Sequence, residues 1–355
     1  MQIGISIAQT GALSIMGMQA LNGIRLWVLH LERKGGLRVG RQLRPVRLIT
    51  RDDHSRTSFV RDNIKALIRQ DGVDVLLGPY SSHLTKAAAD ICEVHQTLLW
   101  NHGGASDEIC QPKSNWIVST LSPASQYLQK LPQWIDANGS AVHQYLLLSS
   151  RKGTFAGNVA AGLRESIGVF TKAARLHSAE LPESTNVFIQ LLNETAPTAL
   201  VLIGTFEQET GLFKTRGAWP ESIRYVACVS AGISQFLDSV GDLSEGIIGP
   251  SQWEPGIDRA TLIGPTSREF VRDFAKSFRE MPNYVAAGAF AAGLIIEECI
   301  RRAGSLEGTK VREVAHELQT ETFYGRFQID GSGRQVGHAM HLVRWENGKK
   351  IVLPA

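Results

Sequence analysis

Residues 73–109, VDVLLGPYSSHLTKAAADICEVHQTLLWNHGGASDEI, decide the fold. The largely apolar run 73–77 has the pattern of a strand buried on both faces. Gly78-Pro79 stops it. Ser81-Ser82 supply a helix N-cap, and 84–94 carry the apolar spacing of the helix that follows. A second apolar run, 97–100, leads into Gly103-Gly104-Ala105-Ser106, where Asp107 and Glu108 open another short helix. Two strand ends, each followed by small residues and a helix start, thus lie close together in the chain. In an open parallel sheet, ligands collect at the carboxyl ends of strands. Free backbone N–H groups at helix starts attract carboxylates there.

Outward from this stretch the same alternation recurs. Strands are predicted at 2–8, 43–50 and 116–120, with helices at 17–31 and 55–69. It restarts with strands at 143–149, 169–175, 199–204 and 224–229, between helices at 126–136, 155–167, 186–193 and 207–216. This is the signature of two doubly wound α/β sheets, two Rossmann-like lobes. The first block ends near 121 and the second near 246, followed by a long exit over 246–255. Helices at 266–278, 286–303 and 310–318 have no strand partners of their own and return to cover the first sheet. Segments 323–329 and 340–345 form a closing hairpin-like pair, with a last strand at 350–353. Lobe I is therefore 1–121 plus 250–324, and lobe II 122–249 plus 325–355. Several chain crossings between them predict a hinge and a cleft.

A chain of 355 residues suits two domains. Its 43% apolar and 20% charged residues are those of a soluble globular protein. Net charge is +3, from 37 basic against 34 acidic residues, too balanced for a nucleic-acid binder. No apolar run is long enough to insert into a membrane. Cys92, Cys110, Cys228 and Cys299 form no CxxC pair, which argues against zinc or thioredoxin-like chemistry, although Cys92 and Cys110 are near enough in sequence to pair. Met1 leads directly into a strand without a signal peptide, so the chain is either cytoplasmic or a mature form whose leader has been removed.

Catalytic patterns are absent. There is no GxxxxGK[ST], no HExxH and no GxSxG, and QTGALSIMG stands where GxGxxG would mark a dinucleotide site. Ser82-His83 are adjacent on a helix and point apart, with no orienting acid. No catalytic residue, metal or cofactor is expected. Asp52-Asp53 read as a turn and cap for the next helix. Phe155 and Phe206 each follow a strand at a helix start, where a core residue and a ligand wall are equally good readings. Trp253 lies in a crossover and is placed to face the cleft.

Five motifs in order, QTGALSIMGMQALNGIRL (9–26), VLLGPYSSHLTKAAADI (75–91), GGASDEI (103–109), AAGAFAAGLIIEECIRRAGSL (286–306) and TFYGRFQIDGSGRQVGH (322–338), carry a resemblance over essentially the whole chain. It resembles the type I periplasmic binding proteins of branched-chain amino-acid ABC transporters, the leucine/isoleucine/valine-binding family. The resemblance implies a ligand between two lobes, its carboxylate held by Ser82, with Ser81 beside it, and by Gly103, Gly104 and Ala105. Ala105 replaces a family threonine. The family's aromatics fall at Met16, Phe155 and Phe206. The family's ammonium-pairing acid falls at Ser230, so the anion half of the site survives and the cation half does not. Ser55 and Ser81 stand where the family's lobe-I disulfide would be.

These readings converge on an extracytoplasmic, periplasmic solute-binding protein. It would be monomeric and would deliver a small carboxylate-bearing ligand, amino-acid-like or an aromatic or aliphatic acid, to ABC permease subunits. The alternative is a ligand sensor of the same fold coupled to a regulator.

Overall fold

The computed structural model describes residues 1–138, 144–171 and 174–354. The chain divides into two compact units, 1–123 with 252–339 and 124–251 with 340–355.

The first unit opens with β1 (Gln2–Ile7), α1 (Ser14–Arg33), a short β2–β3 ribbon (Leu37–Val39, Gln42–Arg44), β4 (Arg47–Asp52) and α2 (Thr57–Arg69). It continues through β5 (Val75–Leu77), α3 (Ser82–His95), β6 (Leu99–Asn101) and β7 (Ile117–Ser119). The second unit holds α4 (Leu131–Asn138), β8 (Gln144–Ser149), α5 (Phe155–Phe170), β9 (Arg175–Glu180), α6 (Thr185–Thr195) and β10 (Ala199–Ile203). Next come α7 (Phe206–Phe213), β11 (Tyr225–Cys228), α8 (Gln235–Val240) and β12 (Ile248–Ser251). The chain then returns to the first unit with α9 (Ser267–Phe278), α10 (Tyr284–Ala303), α11 (Gly308–Glu317), β13 (Thr320–Thr322) and β14 (Gly325–Phe327). It finishes in the second unit with β15 (His341–Glu346) and β16 (Lys349–Val352).

The first sheet runs β4-β1-β5-β6-β7, all parallel. A parallel sheet is covered on both faces, which is why its strands are short apolar runs. Alternation along β5 sends Val75 and Leu77 into one layer, with Ile3, Ile5, Trp27 and Phe290, and Leu76 into the other, with Ile64, Leu84 and Leu99. The returning helices belong to the first layer. α1 and α10 approach so closely that a Cβ on Gly23 would stand 2.3 Å from the Ala286 carbonyl oxygen, so only glycine fits there.

The second sheet runs β16-β15-β12-β11-β10-β8-β9. Its β8–β12 strands are parallel, whereas β15 and β16 add on antiparallel. Leu146, Leu148, Leu200 and Leu202 meet Phe188, Phe213, Phe236 and Trp345 on one face.

Four sequence expectations change. The strand placed at 169–175 lies later: α5 runs on to Phe170 and β9 is Arg175–Glu180, while 172–173 and His143 fall outside the described residues. The exit at 246–255 contains strand β12, whose brevity and Gly-Pro content hide it in the sequence. Segments 323–329 and 340–345 do not pair with each other: β14 pairs with β13, and β15 pairs with β12 and β16. Residues 325–339 belong to the first unit instead of the second. They are tied there by the β13–β14 ribbon and by Ser119 N–H donating to the Gly333 carbonyl. All four cysteines are free and buried, so Cys92 and Cys110 are thiols, and burial pushes the Cys110 thiol up to about 11.

Candidate functional site

In the first unit the sheet order places the ends of β1, β5 and β6 side by side. The segments that follow carry Met16 in the first turn of α1, then Ser81 and Ser82 at the start of α3, then Gly103–Ala105 in the loop after β6, so one edge gathers all the residues chosen there from sequence. Met16 is half-buried in the first turn of α1, where its sulfur accepts from Asn283 Nδ2 at 3.4 Å. Ser81 precedes α3 with φ +91°, a strained conformation for a residue with a Cβ. Its side chain does not cap the helix; the hydroxyl lies 3.2 Å from His83 Nδ1. The N–H groups of the first turn of α3 therefore have no side-chain cap from the N-cap residue.

The two loops are knitted together. Ser81 N–H donates to the Gly103 carbonyl at 3.0 Å, and Ser106 N–H to Ser82 Oγ at 3.0 Å. A Cβ on Gly103 would stand 2.7 Å from the Pro79 carbonyl oxygen, which explains glycine at this crossing. Asn101, fully buried at the end of β6, shapes the second loop: its Oδ1 accepts from Gly103 and Gly104 N–H (3.2 and 2.8 Å). Its Nδ2 donates to the Gly104 carbonyl and Ser119 Oγ, both at 2.8 Å.

This corrects the anion grip. Gly103 and Gly104 are spoken for by Asn101 and serve as scaffold. What stays available is the Ser82 hydroxyl proton, the first-turn N–H groups of α3 and Ala105 N–H, which has no acceptor among the described residues. Beside them His102 is 3% exposed, and burial lowers its imidazole to about 4, so it is neutral at pH 7 and adds no cation. Asp52 ties the neighbouring β1–α1 loop by accepting from Gln9 N–H at 2.9 Å and His54 N–H at 2.9 Å; it makes the turn but does not cap α2.

In the second unit β11, β10 and β8 are neighbours, and their ends carry Ser230, Phe206 and Phe155. Both phenylalanines begin helices and are half-buried; Phe155 meets Tyr127 edge-on at 5.2 Å. Thr205 and Gln208 form a capping box that satisfies two of the N–H groups at the start of α7. One turn in, Glu209 is wholly buried and accepts from Gly204 N–H and Ser230 N–H, each at 2.7 Å. Burial raises its carboxyl to about 7 despite these donors. Ser230 is 8% exposed. Trp253 is not placed as expected: it is 2% exposed in the first unit's core, edge-on to Phe270 and Phe323. A large ring beside an aromatic cluster gains more from burial than from solvent contact.

Comparison with known proteins bears on the family and the fold. The family described as periplasmic binding protein matches residues 1–350. The chain belongs to the periplasmic binding protein family. It has the type I fold of ABC-transporter substrate-binding proteins. Among solved structures, the leucine-binding protein LivK of Thermotoga maritima superposes with TM-score 0.84 at 15% identity, covering 99% of this chain and 97% of the other. LivJ of Streptococcus pneumoniae, in complex with isoleucine, gives 0.83 at 16%, covering 99% of each. A solute-binding protein of an ABC transporter from Rhodopseudomonas palustris, in complex with 3,4-dihydroxybenzoic acid, gives 0.82 at 19%, covering 99% and 96%.

Sequence reading of this periplasmic binding protein missed Asn101 and Glu209. An Asn at a strand end, one residue ahead of Gly-Gly, is a local sign of a side chain folding back on its own loop. Glu209 carries no such sign, because an acid in a first helical turn looks like ordinary dipole compensation. Among the described residues no group of three or more metal-ligating side chains forms, and no helix is long and apolar enough to cross a membrane.

Proposed function

We propose that this periplasmic binding protein is the extracytoplasmic, monomeric solute-binding component of an ABC importer, handing its ligand to permease subunits. The ligand is a small carboxylic acid with an apolar body, not chemically altered. The uncapped start of α3 carries the reading: together with the Ser82 hydroxyl and Ala105 N–H it offers several donors to one anion on a single strand-end edge. Phe155 and Phe206 stand half-buried at the strand ends of the second unit, apolar surface of the kind such a ligand body takes. Ser230 replaces an acid, so an ammonium would be left without a charge partner, and burying it would cost several kcal/mol, about. That favours simple or aromatic acids over amino acids, in keeping with the R. palustris relative crystallised with 3,4-dihydroxybenzoic acid.

A thermal-shift screen of amino acids, aliphatic acids and aromatic acids tests this. Aromatic or aliphatic acids should raise Tm. A rise with zwitterionic amino acids alone, or with no carboxylate, would contradict the proposal. Ser82→Leu should weaken binding by about tenfold or more, since it removes one charge-assisted hydrogen bond and obstructs the helix end, while the ligand-free protein stays folded and loses only about 1 kcal/mol with the Ser106 N–H bond to Ser82 Oγ. Unchanged affinity by calorimetry would remove Ser82 from the site.

A further inference from the structure

Residues 33–51 include seven basic side chains and no acidic one, in a chain whose net charge is only +3. The rest of the chain is therefore net negative, and the positive charge is gathered in one place. That place is the end of α1, the β2–β3 ribbon and the edge strand β4, all in the first unit. Leu37 and Val39 anchor β2 in the same core layer as α10, whereas every residue of β3 is exposed. Lys34 pairs with Glu297, and Arg51 with Asp71. Arg38, Arg41, Arg44 and Arg47, at every third position, are exposed and make no ion pair among the described residues. Leu43 is 44% exposed and lies opposite Arg38 in the ribbon, so an apolar side chain shares a face with a guanidinium.

Unpaired guanidiniums match phosphate oxygens through their forked N–H groups. An exposed leucine among them adds an apolar contact that a nucleic-acid backbone would leave unused. Cations for headgroup phosphates and an apolar side chain for the acyl boundary together make an interfacial membrane contact. β4 begins beside the first residues of β1, so the ribbon leads into the amino ends of the strands, and Ser82 and Ala105 follow the carboxyl ends. We propose that the β2–β3 ribbon and the start of β4 dock the first unit on the anionic phospholipid surface of a bilayer, without insertion. The contact is independent of what the Ser82 edge binds.

Co-sedimentation of the full chain with vesicles tests it, using phosphatidylcholine alone and phosphatidylcholine with about one-third phosphatidylglycerol. The wild type should bind the anionic vesicles at least about tenfold more tightly, and about 0.5 M salt should abolish the difference. Each arginine removed should cost about fivefold, so Arg41→Gln with Arg44→Gln should weaken binding about 25-fold. Leu43→Ser should weaken it about threefold. Arg151→Gln with Lys152→Gln removes the same charge from exposed positions of the second unit and should change binding less than about twofold. If the double ribbon variant fails to fold, Arg41→Gln alone decides, with its fivefold loss. Equal binding to neutral vesicles, no binding to either, or an equal loss in the ribbon and control variants overturns the inference. Tighter binding to polyglutamate or single-stranded DNA than to the anionic vesicles at equal salt would assign the ribbon to a protein or a nucleic acid and overturn it too.

Discussion

The loop after β6 and the turns after β10 and β11 are each held by one buried polar side chain, and the two side chains differ in kind. Asn101 is neutral and has both donor and acceptor faces, so one amide closes four partners without a charge. Glu209 is an acid that only accepts when ionised, and it joins two separate turns. The Asn101 brace cannot titrate, whereas the Glu209 brace can. The first brace also holds a strained neighbour, Ser81 at φ +91°, while no non-glycine residue of the turns after β10 and β11 has positive φ. Strain is thus stored beside the proposed anion grip, and a buried titratable group beside Ser230.

This contrast can be broken most forcefully at Asn101. Asn101→Leu leaves two N–H groups, a carbonyl and the Ser119 hydroxyl without that partner; the cost should be about 4 kcal/mol, or roughly 10 °C in Tm by calorimetry. A loss below about 1 kcal/mol would mean that Asn101 does not hold the loop.

Next is the titration of Glu209. Its carboxyl is raised from 4.5 to about 7 in the fold, mainly by burial, so the protonated form is favoured there. Its stabilising contribution is present below 4.5 and is lost as pH rises through about 7. Glu209→Gln should flatten that decline, changing the difference in Tm between pH 5 and 7.5 by about 5 °C relative to wild type. Asp53, raised to about 6 by burial, contributes a decline of the same sign that persists in both proteins. Identical pH profiles would mean that Glu209 is not the titrating group.

His102 has the opposite sign. Burial lowers its imidazole from 6.5 to about 4, so the unfolded chain takes up the proton first and stability falls as pH drops from 6.5 toward 4. His102→Gln should lessen this acid loss by about 3 °C. An unaltered acid limb would exclude His102 as its source.

The smallest effect is at Ser81. Glycine accepts φ +91° without strain but orders at a larger entropic cost, so Ser81→Gly should gain no more than about 1 kcal/mol. A clear loss in denaturant melts would show that the hydroxyl, 3.2 Å from His83 Nδ1, matters more than the backbone strain.

Much of this was legible beforehand because it is local. The strand-breaker-helix sequence of 73–109 rests on apolar period, Gly-Pro and small residues, all properties of neighbours in the chain, and it places Ser82 and Ala105 on one sheet edge once β5 and β6 pair. The family resemblance likewise needs only motifs in order. Legibility ended where partners are distant or elements brief: β12 hides in Ile-Gly-Pro-Ser, and 325–339 look like the end of one lobe although Ser119 and β13 hold them in the other. By itself the sequence determined the doubly wound class, the two-block order and the residues at each strand end, because period and turn chemistry act over a few residues. Only the tertiary structure decided which amides are already used by Asn101, that Trp253 belongs to the core, and that Glu209 lies under Ser230. Hydrogen bonds are saturable and burial is collective, so both depend on what the whole fold brings near.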